Sequence, residues 1–254
     1  MSAGEVAGAR GALEGRVVLV TGAAGGLGSV AAQAAAAAGA TVILLGRKPA
    51  KLERLYDRLA AVGPEPLIYP LDLVGATPDD YAAMAQRIES ELGRLDGVLH
   101  CAADFPGLTP FELGDPAVFA RTLHVNLTAR GWLSQACLPL LRQREDAALV
   151  FVLDDPARVG HAYWGGYGAA QFAQQGLLAS LHGETAAGPV RVSGLQPGPM
   201  RTALRSRAFL LEEDTEAVPP QSYAEACVTL LSAAGAPRRG QLWQPPLGIP
   251  AKLL

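Results

Sequence analysis

A glycine-rich turn near the start of the chain constrains the fold more than any other feature of the sequence. It follows residues 16–21, an apolar run (RVVLVT) typical of a strand buried on both faces. It precedes residues 29–40, which are rich in alanine and favour a helix. Glycine is needed where a backbone turns tightly and approaches a pyrophosphate, and the N–H groups of a helix N-terminus attract phosphates. The strand–glycine–helix order of residues 21–28 therefore predicts a dinucleotide-binding site, with a glycine turn that binds no ligand as the alternative.

Strand and helix patterns alternate along the whole chain. This alternation predicts an α/β fold, a single Rossmann-type, doubly wound domain over residues 1–254. The sheet is expected to have seven, mostly parallel strands, with helices on both faces. The predicted strands are residues 16–21, 41–45, 66–69, 97–100, 147–153, 190–195 and 240–243. Residues 116–141 are predicted as one long helix, and residues 197–220, rich in proline, arginine and acidic residues, as a substrate-side lid loop.

The overall composition excludes several classes of partner. The 254 residues carry a net charge of −3, which gives no electrostatic reason to expect nucleic acid or an anionic membrane. Residues 1–13 lack the features of a secretory signal, and the apolar runs are too short to cross a bilayer. The three scattered cysteines have no metal-ligand spacing, so no metal site is predicted, and isolated thiols fit a reducing cytoplasm. We expect a cytoplasmic protein whose partner is a small-molecule substrate or effector.

The end of the second predicted strand indicates which dinucleotide is bound. An acidic residue there would accept hydrogen bonds from a free ribose 2′-hydroxyl, as in NAD sites. This chain has Gly46-Arg47-Lys48 instead. Two cations suit a 2′-phosphate, which arginine can bind through two hydrogen bonds. The sequence therefore predicts NADP(H) over NAD(H), unless Arg47 and Lys48 simply begin an exposed helix.

Taken together, these motifs resemble the short-chain dehydrogenase/reductase family. Thr21-Gly22-x-x-x-Gly26-x-Gly28 matches the cofactor loop of that family, and the likeness extends over nearly the whole chain. The stretches TVILLGR, RLDGVLH and PGPMRTA look most similar to its YciK-like branch of NADP-linked members. The resemblance implies a homodimer or homotetramer joined through the helices at residues 116–141 and 167–186. It also implies further cofactor-binding residues, which are Gly22, Ala24, Gly26, Leu27, Gly28, Asp72, Leu73, Ala102, Pro197, Gly198 and Thr202.

The resemblance also implies a catalytic set of serine, tyrosine and lysine with an asparagine on a helix. In the family the tyrosine transfers the proton, the lysine lowers the tyrosine pKa and holds the nicotinamide ribose, the serine binds the substrate oxygen, and the asparagine orders a water. Here the tyrosine is Tyr167 and the asparagine is Asn126. The lysine position, four residues after the tyrosine, holds Gln171. Counting along the fifth strand puts the serine position at Asp154, or less favourably at Asp155.

These departures make the Ser-Tyr-Lys set degenerate. A neutral Gln171 supplies no cation, and a carboxylate at Asp154 disfavours tyrosinate, so we expect the Tyr167 pKa to stay near its ordinary value of about 10. The first hypothesis is NADP(H)-dependent hydride transfer to a carbonyl or from an alcohol, weak or lost. The second is a non-catalytic NADP(H)-binding sensor, scaffold or partner subunit. A third gives Asp154 and Tyr167 a new acid–base reaction, whereas the plainest interpretation makes Asp154 and Asp155 solvated loop carboxylates.

Overall fold

The computed structural model describes residues 11–209 and 217–246 of the chain. Its seven strands form one sheet in the order β3-β2-β1-β4-β5-β6-β7. Every pairing is parallel, so the predicted α/β fold is confirmed and the sheet is wholly rather than mostly parallel. The strands are β1 Val17–Thr21, β2 Thr41–Gly46, β3 Leu67–Pro70, β4 Gly97–His100, β5 Ala147–Val152, β6 Val190–Leu195 and β7 Leu242–Trp243. The strand order reverses between β1 and β4, which opens a crevice at their carboxyl ends.

Helices cover both faces of the sheet because the strands are apolar on both sides. Val18 and Val20 of β1 point into one core, and Val17 and Leu19 point into the other. The helices are α1 Gly26–Ala37, α2 Pro49–Ala60, α3 Pro78–Leu92, α4 Pro116–Leu123, α5 Ala129–Leu141, α6 Pro156–Val159, α7 Gly165–Thr185 and α8 Ala224–Leu231. Residues of α1, α2 and α8 complete the first core, and residues of α3, α5 and α7 complete the second.

None of the helices in residues 11–209 and 217–246 is both long and apolar enough to cross a membrane.

Two helix boundaries differ from the sequence prediction near the crevice. The first helix begins at Gly26, so the last glycines of the turn already belong to α1. The single helix predicted for residues 116–141 is interrupted between α4 and α5 by a π-helical turn, His124–Thr128. There the side chain of Asn126 donates a hydrogen bond to the carbonyl of Thr122, at 2.8 Å. Such competition of an asparagine side chain with the helical backbone is local chemistry that the apolar periodicity does not reveal.

An ionic cluster ties together the opposite end of the sheet. The Asp146 carboxylate, just before β5, accepts hydrogen bonds from Arg16 before β1 and from Arg191 in β6. Arg191 is buried and also donates to the carbonyls of Leu230 and Ser232. Burial alone would raise the pKa of Asp146, but the hydrogen bonds from Arg191 and Arg16 outweigh it and lower the pKa. The charge of Asp146 therefore stabilises the fold.

We predict that Asp146→Asn lowers the free energy of unfolding at pH 7 by about 2 kcal/mol, because it leaves the buried Arg191 without a counterion. Since the folded-state pKa of Asp146 is lowered, its contribution is present above the unfolded-state value of about 3.9 and is lost as the pH falls further. Urea unfolding at pH 7 and pH 3 measures this. Glu91→Gln, which breaks an exposed pair with Arg87, is the control and should change stability by less than about 0.5 kcal/mol. Equal losses in the two variants would contradict the prediction.

Candidate active site

The carboxyl ends of the central strands open into one cleft of about 870 Å³. Such a crevice is where open α/β sheets bind ligands. All thirteen predicted cofactor-binding residues line it, and so do Asp154, Tyr167 and Gln171. Asn126 is not among its lining residues. The sequence therefore identified one contiguous surface, although its members come from segments far apart in the chain.

The glycine turn needs glycine because its backbone packs too closely for side chains at two positions. Gly22 has a φ of 61°, and a Cβ there would lie 2.7 Å from the Cα of Ala102. A Cβ on Gly28 would lie 2.2 Å from the carbonyl oxygen of Gly22. No side chain caps α1, and its first turn has no acidic residue. The N–H groups of this helix end are thus available to a pyrophosphate.

Arg47 and Lys48 follow β2 directly and lie exposed along the wall of the cleft. Within residues 11–209 and 217–246, neither side chain forms a hydrogen bond or ion pair with another residue. Asp72, further along this wall, is also exposed and accepts a hydrogen bond from the backbone N–H of Val74. The two cations are therefore free to meet an anionic group of a ligand.

The segment after β6 closes over the glycine turn. The methyl group of Thr202 packs so closely on Gly26 that a Cβ there would lie 2.7 Å from it. The N–H of Gly198 donates to the hydroxyl of Tyr223, at 2.7 Å. Residues 210–216 of the predicted lid lie outside the described residues, so the lid role of residues 197–220 stays a prediction.

Tyr167 and Asp154 meet at the centre of the cleft. Tyr167 lies in the first turn of α7, is 5% exposed, and donates from its hydroxyl to Asp154 Oδ2 at 3.3 Å. Asp155 instead accepts from the N–H of Ala157 and caps the short helix α6. Asp154 is thus the residue beside the tyrosine, as the count along β5 predicted. The interpretation of both aspartates as solvated loop carboxylates is wrong for Asp154, which is half-buried and bonded.

The electrostatics of this pair differ from the sequence expectation. Burial, followed by the nearby charge of Asp154, raises the pKa of Tyr167 well above its ordinary value of about 10. The expectation of an unperturbed tyrosine is therefore wrong, because it left out the burial of the hydroxyl. Burial also raises the pKa of Asp154, although the hydrogen bond from the N–H of Asp155 opposes the shift. Both groups thus hold their protons more tightly than they would in water.

Gln171 and Asn126 serve as anchors in this structure. The buried Gln171 accepts hydrogen bonds at Oε1 from the N–H of Asp154, at 2.9 Å, and from Nε2 of Gln174, at 3.3 Å. Asn126 donates both amide hydrogens to the carbonyls of Asp104 and Thr122 and accepts from the N–H of Asp104. Since both hydrogens of its amide are bound to backbone, the visible role of Asn126 is to hold the loop that follows β4.

Sequence reasoning missed Arg130, which also lines the cleft. Arg130 is 2% exposed, and its guanidinium donates to the carbonyls of Ala102 and Val152 and to the side-chain oxygen of Gln174. One signal could have revealed it, since Arg130 comes four residues after Asn126 and therefore shares its helix face. In the part of the chain that the structure describes, no group of histidine, cysteine and acidic residues could hold a metal ion.

Comparison with known proteins gives consistent matches over most of the chain. A family model described as short chain dehydrogenase matches residues 16–212. YciK of Escherichia coli K12, named as an uncharacterized oxidoreductase, is 40% identical over 202 residues, which are 79% of this chain and 80% of YciK. A Shigella flexneri 2a protein solved with NADP has a TM-score of 0.88 and 35% identity, covering 92% of this chain and 98% of its own. An Escherichia coli CFT073 protein solved with NADPH has a TM-score of 0.87 and 36% identity, with the same coverage.

We predict that Asp154→Asn raises the melting temperature at pH 8, because it removes a charge that burial disfavours. A carboxyl whose folded-state pKa is raised loses stability as the pH rises from about 4 through that pKa, so the gain should vanish near pH 4. Each kcal/mol gained in the free energy of unfolding corresponds to a rise of roughly 2–4 °C in the melting temperature of a chain of this size. Thermal unfolding from pH 4 to pH 8 measures the effect. Asp155→Asn removes the same charge from a helix cap and should give no gain; a gain for Asp155→Asn as large as for Asp154→Asn would argue against a buried charge.

Proposed function

The chain belongs to the short-chain dehydrogenase family, and we propose that it binds NADP(H) and reduces a carbonyl group of a small molecule to an alcohol. The observation that carries this proposal is the single cleft. It joins the glycine turn, the two exposed cations Arg47 and Lys48, and Tyr167, whose raised pKa favours the protonated phenol. A dinucleotide held along the turn would end beside that tyrosine, as hydride transfer requires.

NADP(H) is supported over NAD(H) by the residues and by the relatives. Arg47 and Lys48 suit a 2′-phosphate, and the residues that directly follow β2 include no acidic residue. Two of the similar solved structures contain NADP or NADPH. When bound, the reduced nicotinamide would supply the hydride that the carbonyl carbon accepts.

We predict that replacing both Arg47 and Lys48 by alanine weakens NADPH binding about 100-fold or more, because two charge-assisted contacts of roughly 1.5–3 kcal/mol each are lost. NADH has no 2′-phosphate, so its affinity should stay almost unchanged. Fluorescence titration of both cofactors measures this. Replacing Arg54 and Arg58 by alanine removes the same charge from the exposed side of α2, away from the cleft, and should leave both affinities unaltered. Tighter binding of NADH than NADPH by the unmodified chain would refute the choice of cofactor.

Tyr167 would be the proton donor in this reaction. As the new C–H bond forms and the C=O π bond breaks, the substrate oxygen takes the proton from the Tyr167 hydroxyl. Asp154, in hydrogen-bonding contact with that hydroxyl, would return a proton to it from solvent. The raised pKa of Tyr167 keeps it protonated, as a donor must be, and disfavours oxidation of an alcohol, which needs Tyr167 as a base.

We propose that the reaction is slow, because the lysine and serine of the family are replaced by Gln171 and Asp154. An ionised Asp154 would oppose the negative charge that develops on the substrate oxygen. Turnover should therefore fall as the pH rises through the Asp154 pKa. The serine of the family would impose no such limit.

We predict that Tyr167→Phe lowers kcat for ketone and aldehyde reduction about 10²- to 10⁴-fold, because it removes the proton donor. The NADPH affinity should change little, since the phenol is lost without a change of charge. Steady-state kinetics with NADPH and a carbonyl panel provide the measurement. Tyr163→Phe removes an exposed hydroxyl that does not line the cleft, and should leave kcat unchanged. Full activity in Tyr167→Phe would defeat the proposed mechanism.

Two other functions remain as alternatives, each favoured by one observation. The neutral Gln171 and the carboxyl of Asp154 favour a non-catalytic NADP(H)-binding sensor, scaffold or partner subunit. The contact between Tyr167 and Asp154 favours a repurposed acid–base pair for an elimination or isomerisation. The carbonyl panel separates these alternatives from the reductase, because neither predicts NADPH oxidation that depends on Tyr167.

We also propose that the protein forms a homodimer or homotetramer. Phe172 of α7 is 55% exposed, and Phe111 before α4 is 80% exposed. Large apolar side chains left in water next to these two helices support a subunit contact there.

A further inference from the structure

Arg130 is a buried cation with an unusual set of neighbours. Its guanidinium donates to the carbonyls of Ala102, after β4, and Val152, at the end of β5. Within the described residues no carboxylate lies within 4.0 Å of it, and its Nε has no hydrogen-bond partner. An unpaired buried charge is costly, so a fold that only needed to fill this space would use an apolar side chain. The position lies in the wall of the cleft that contains Tyr167.

The contacts of Arg130 also fix the orientation of two neutral side chains. A guanidinium can only donate, so Gln174 must present its oxygen to Arg130 and its NH₂ group to Gln171. Gln171 must then present its oxygen to Gln174 and to the N–H of Asp154. The one group of Gln171 left over is its NH₂, a hydrogen-bond donor. The chain from Arg130 through Gln174 to Gln171, which we call the arginine relay, thus determines what Gln171 can offer to the cleft.

We propose that Arg130 is a positioning residue of the active site, and that the arginine relay supplies what a lysine at Gln171 would supply. The positive charge comes from Arg130, on the neighbouring helix α5. The hydrogen-bond donor comes from Gln171, which Arg130 orients through Gln174. The proposal rests on the proposed reductase function, but its physical content does not require turnover.

The charge of Arg130 acts on the groups around the cleft. Burial lowers the pKa of Arg130 to about 10, so the guanidinium still carries its charge at neutral pH. Against the effects of burial and Asp154, Arg130 lowers the pKa of Tyr167. It has the same effect on Cys101, whose pKa burial raises to about 12. Cys101 adjoins Ala102 and lines the cleft, which makes its thiol a reporter of this charge.

The sharpest test is Gln174→Glu, which keeps the shape of the side chain. A glutamate there pairs with Arg130 and cancels its charge, and it has no NH₂ group to orient Gln171. We expect kcat for carbonyl reduction to fall about tenfold or more, with a melting temperature equal to or above that of the unmodified chain. Alkylation of Cys101 by iodoacetamide at pH 9 should slow about tenfold. The fully buried Cys137 and Cys227 serve as internal references in the same digest.

Matched variants separate this role from a purely structural one. Gln175→Glu makes the same change one residue later, at a side chain that is not among the described hydrogen-bond partners of Arg130, and should leave kcat and Cys101 alkylation unchanged. Arg130→Lys retains the charge, so Cys101 alkylation should stay within about twofold of the unmodified rate. Adding Gln171→Lys to Gln174→Glu restores a cation and a donor, and should recover kcat.

The outcomes are distinct. The proposal is overturned if Gln174→Glu behaves like Gln175→Glu, or if its loss of kcat is matched by a loss of melting temperature without slower Cys101 alkylation. If the unmodified chain reduces no carbonyl compound, the proposed function fails by itself. Cys101 alkylation in the Gln174→Glu and Arg130→Lys variants then still decides whether Arg130 supplies positive charge beside Cys101.

Discussion

The close contact between the end of β1 and the loop after β4 is the constraint on which the rest of the site depends. Gly22 has no Cβ, which lets its backbone lie against Ala102. The backbone N–H of Ala102 also donates a hydrogen bond to the hydroxyl of Thr21, at 3.1 Å. The carbonyl of Ala102 then receives the guanidinium of Arg130. The backbone of Asp104, two residues after Ala102, forms hydrogen bonds with the side chain of Asn126. A side chain at Gly22 would therefore disturb both the phosphate turn and the loop that seats the buried cation.

The sequence predicted those parts of the fold and site that depend on local pattern. Strands such as β1 are apolar on both faces, and a glycine turn between a strand and a helix is typical of a dinucleotide-binding site. The family resemblance located Tyr167 and Asp154, and the structure brings them into contact. The π-helical turn His124–Thr128 could not be predicted in the same way, because it depends on one side chain competing with the backbone of its own helix. Arg130 was missed because its partners are the carbonyls of Ala102 and Val152 and the side chain of Gln174, which lie far apart in the chain. Its spacing from Asn126 indicates a shared helix face but does not identify these partners.

The pKa of Tyr167 depends on more than the neighbouring residues that the sequence identifies. The sequence correctly assigned a repulsive carboxylate at Asp154 and the absence of a cation at Gln171. It could not supply the burial of the hydroxyl, which is a property of the packed core around Phe105 and Val159 and is the largest cause of the shift. Nor could it supply Arg130, whose charge acts in the opposite direction. Burial and the charge of Arg130 are therefore tertiary influences on the pKa of this tyrosine, which the sequence alone does not reveal.

These influences determine which direction of chemistry the site can favour. With Asp154 protonated, the nearby charge of Arg130 stabilises negative charge on Tyr167 or on a substrate oxygen. In the proposed reaction, Tyr167 would then give up its proton while a carbonyl is reduced. With Asp154 ionised, the carboxylate counteracts the effect of Arg130 and raises the pKa of Tyr167, so that the phenol is a weaker proton donor. Because burial raises the pKa of Asp154, the protonated arrangement extends to higher pH than it would for an exposed aspartate. In the proposed reductase, a cation on the neighbouring helix and a carboxyl in place of a hydroxyl would therefore make activity depend on the protonation of Asp154.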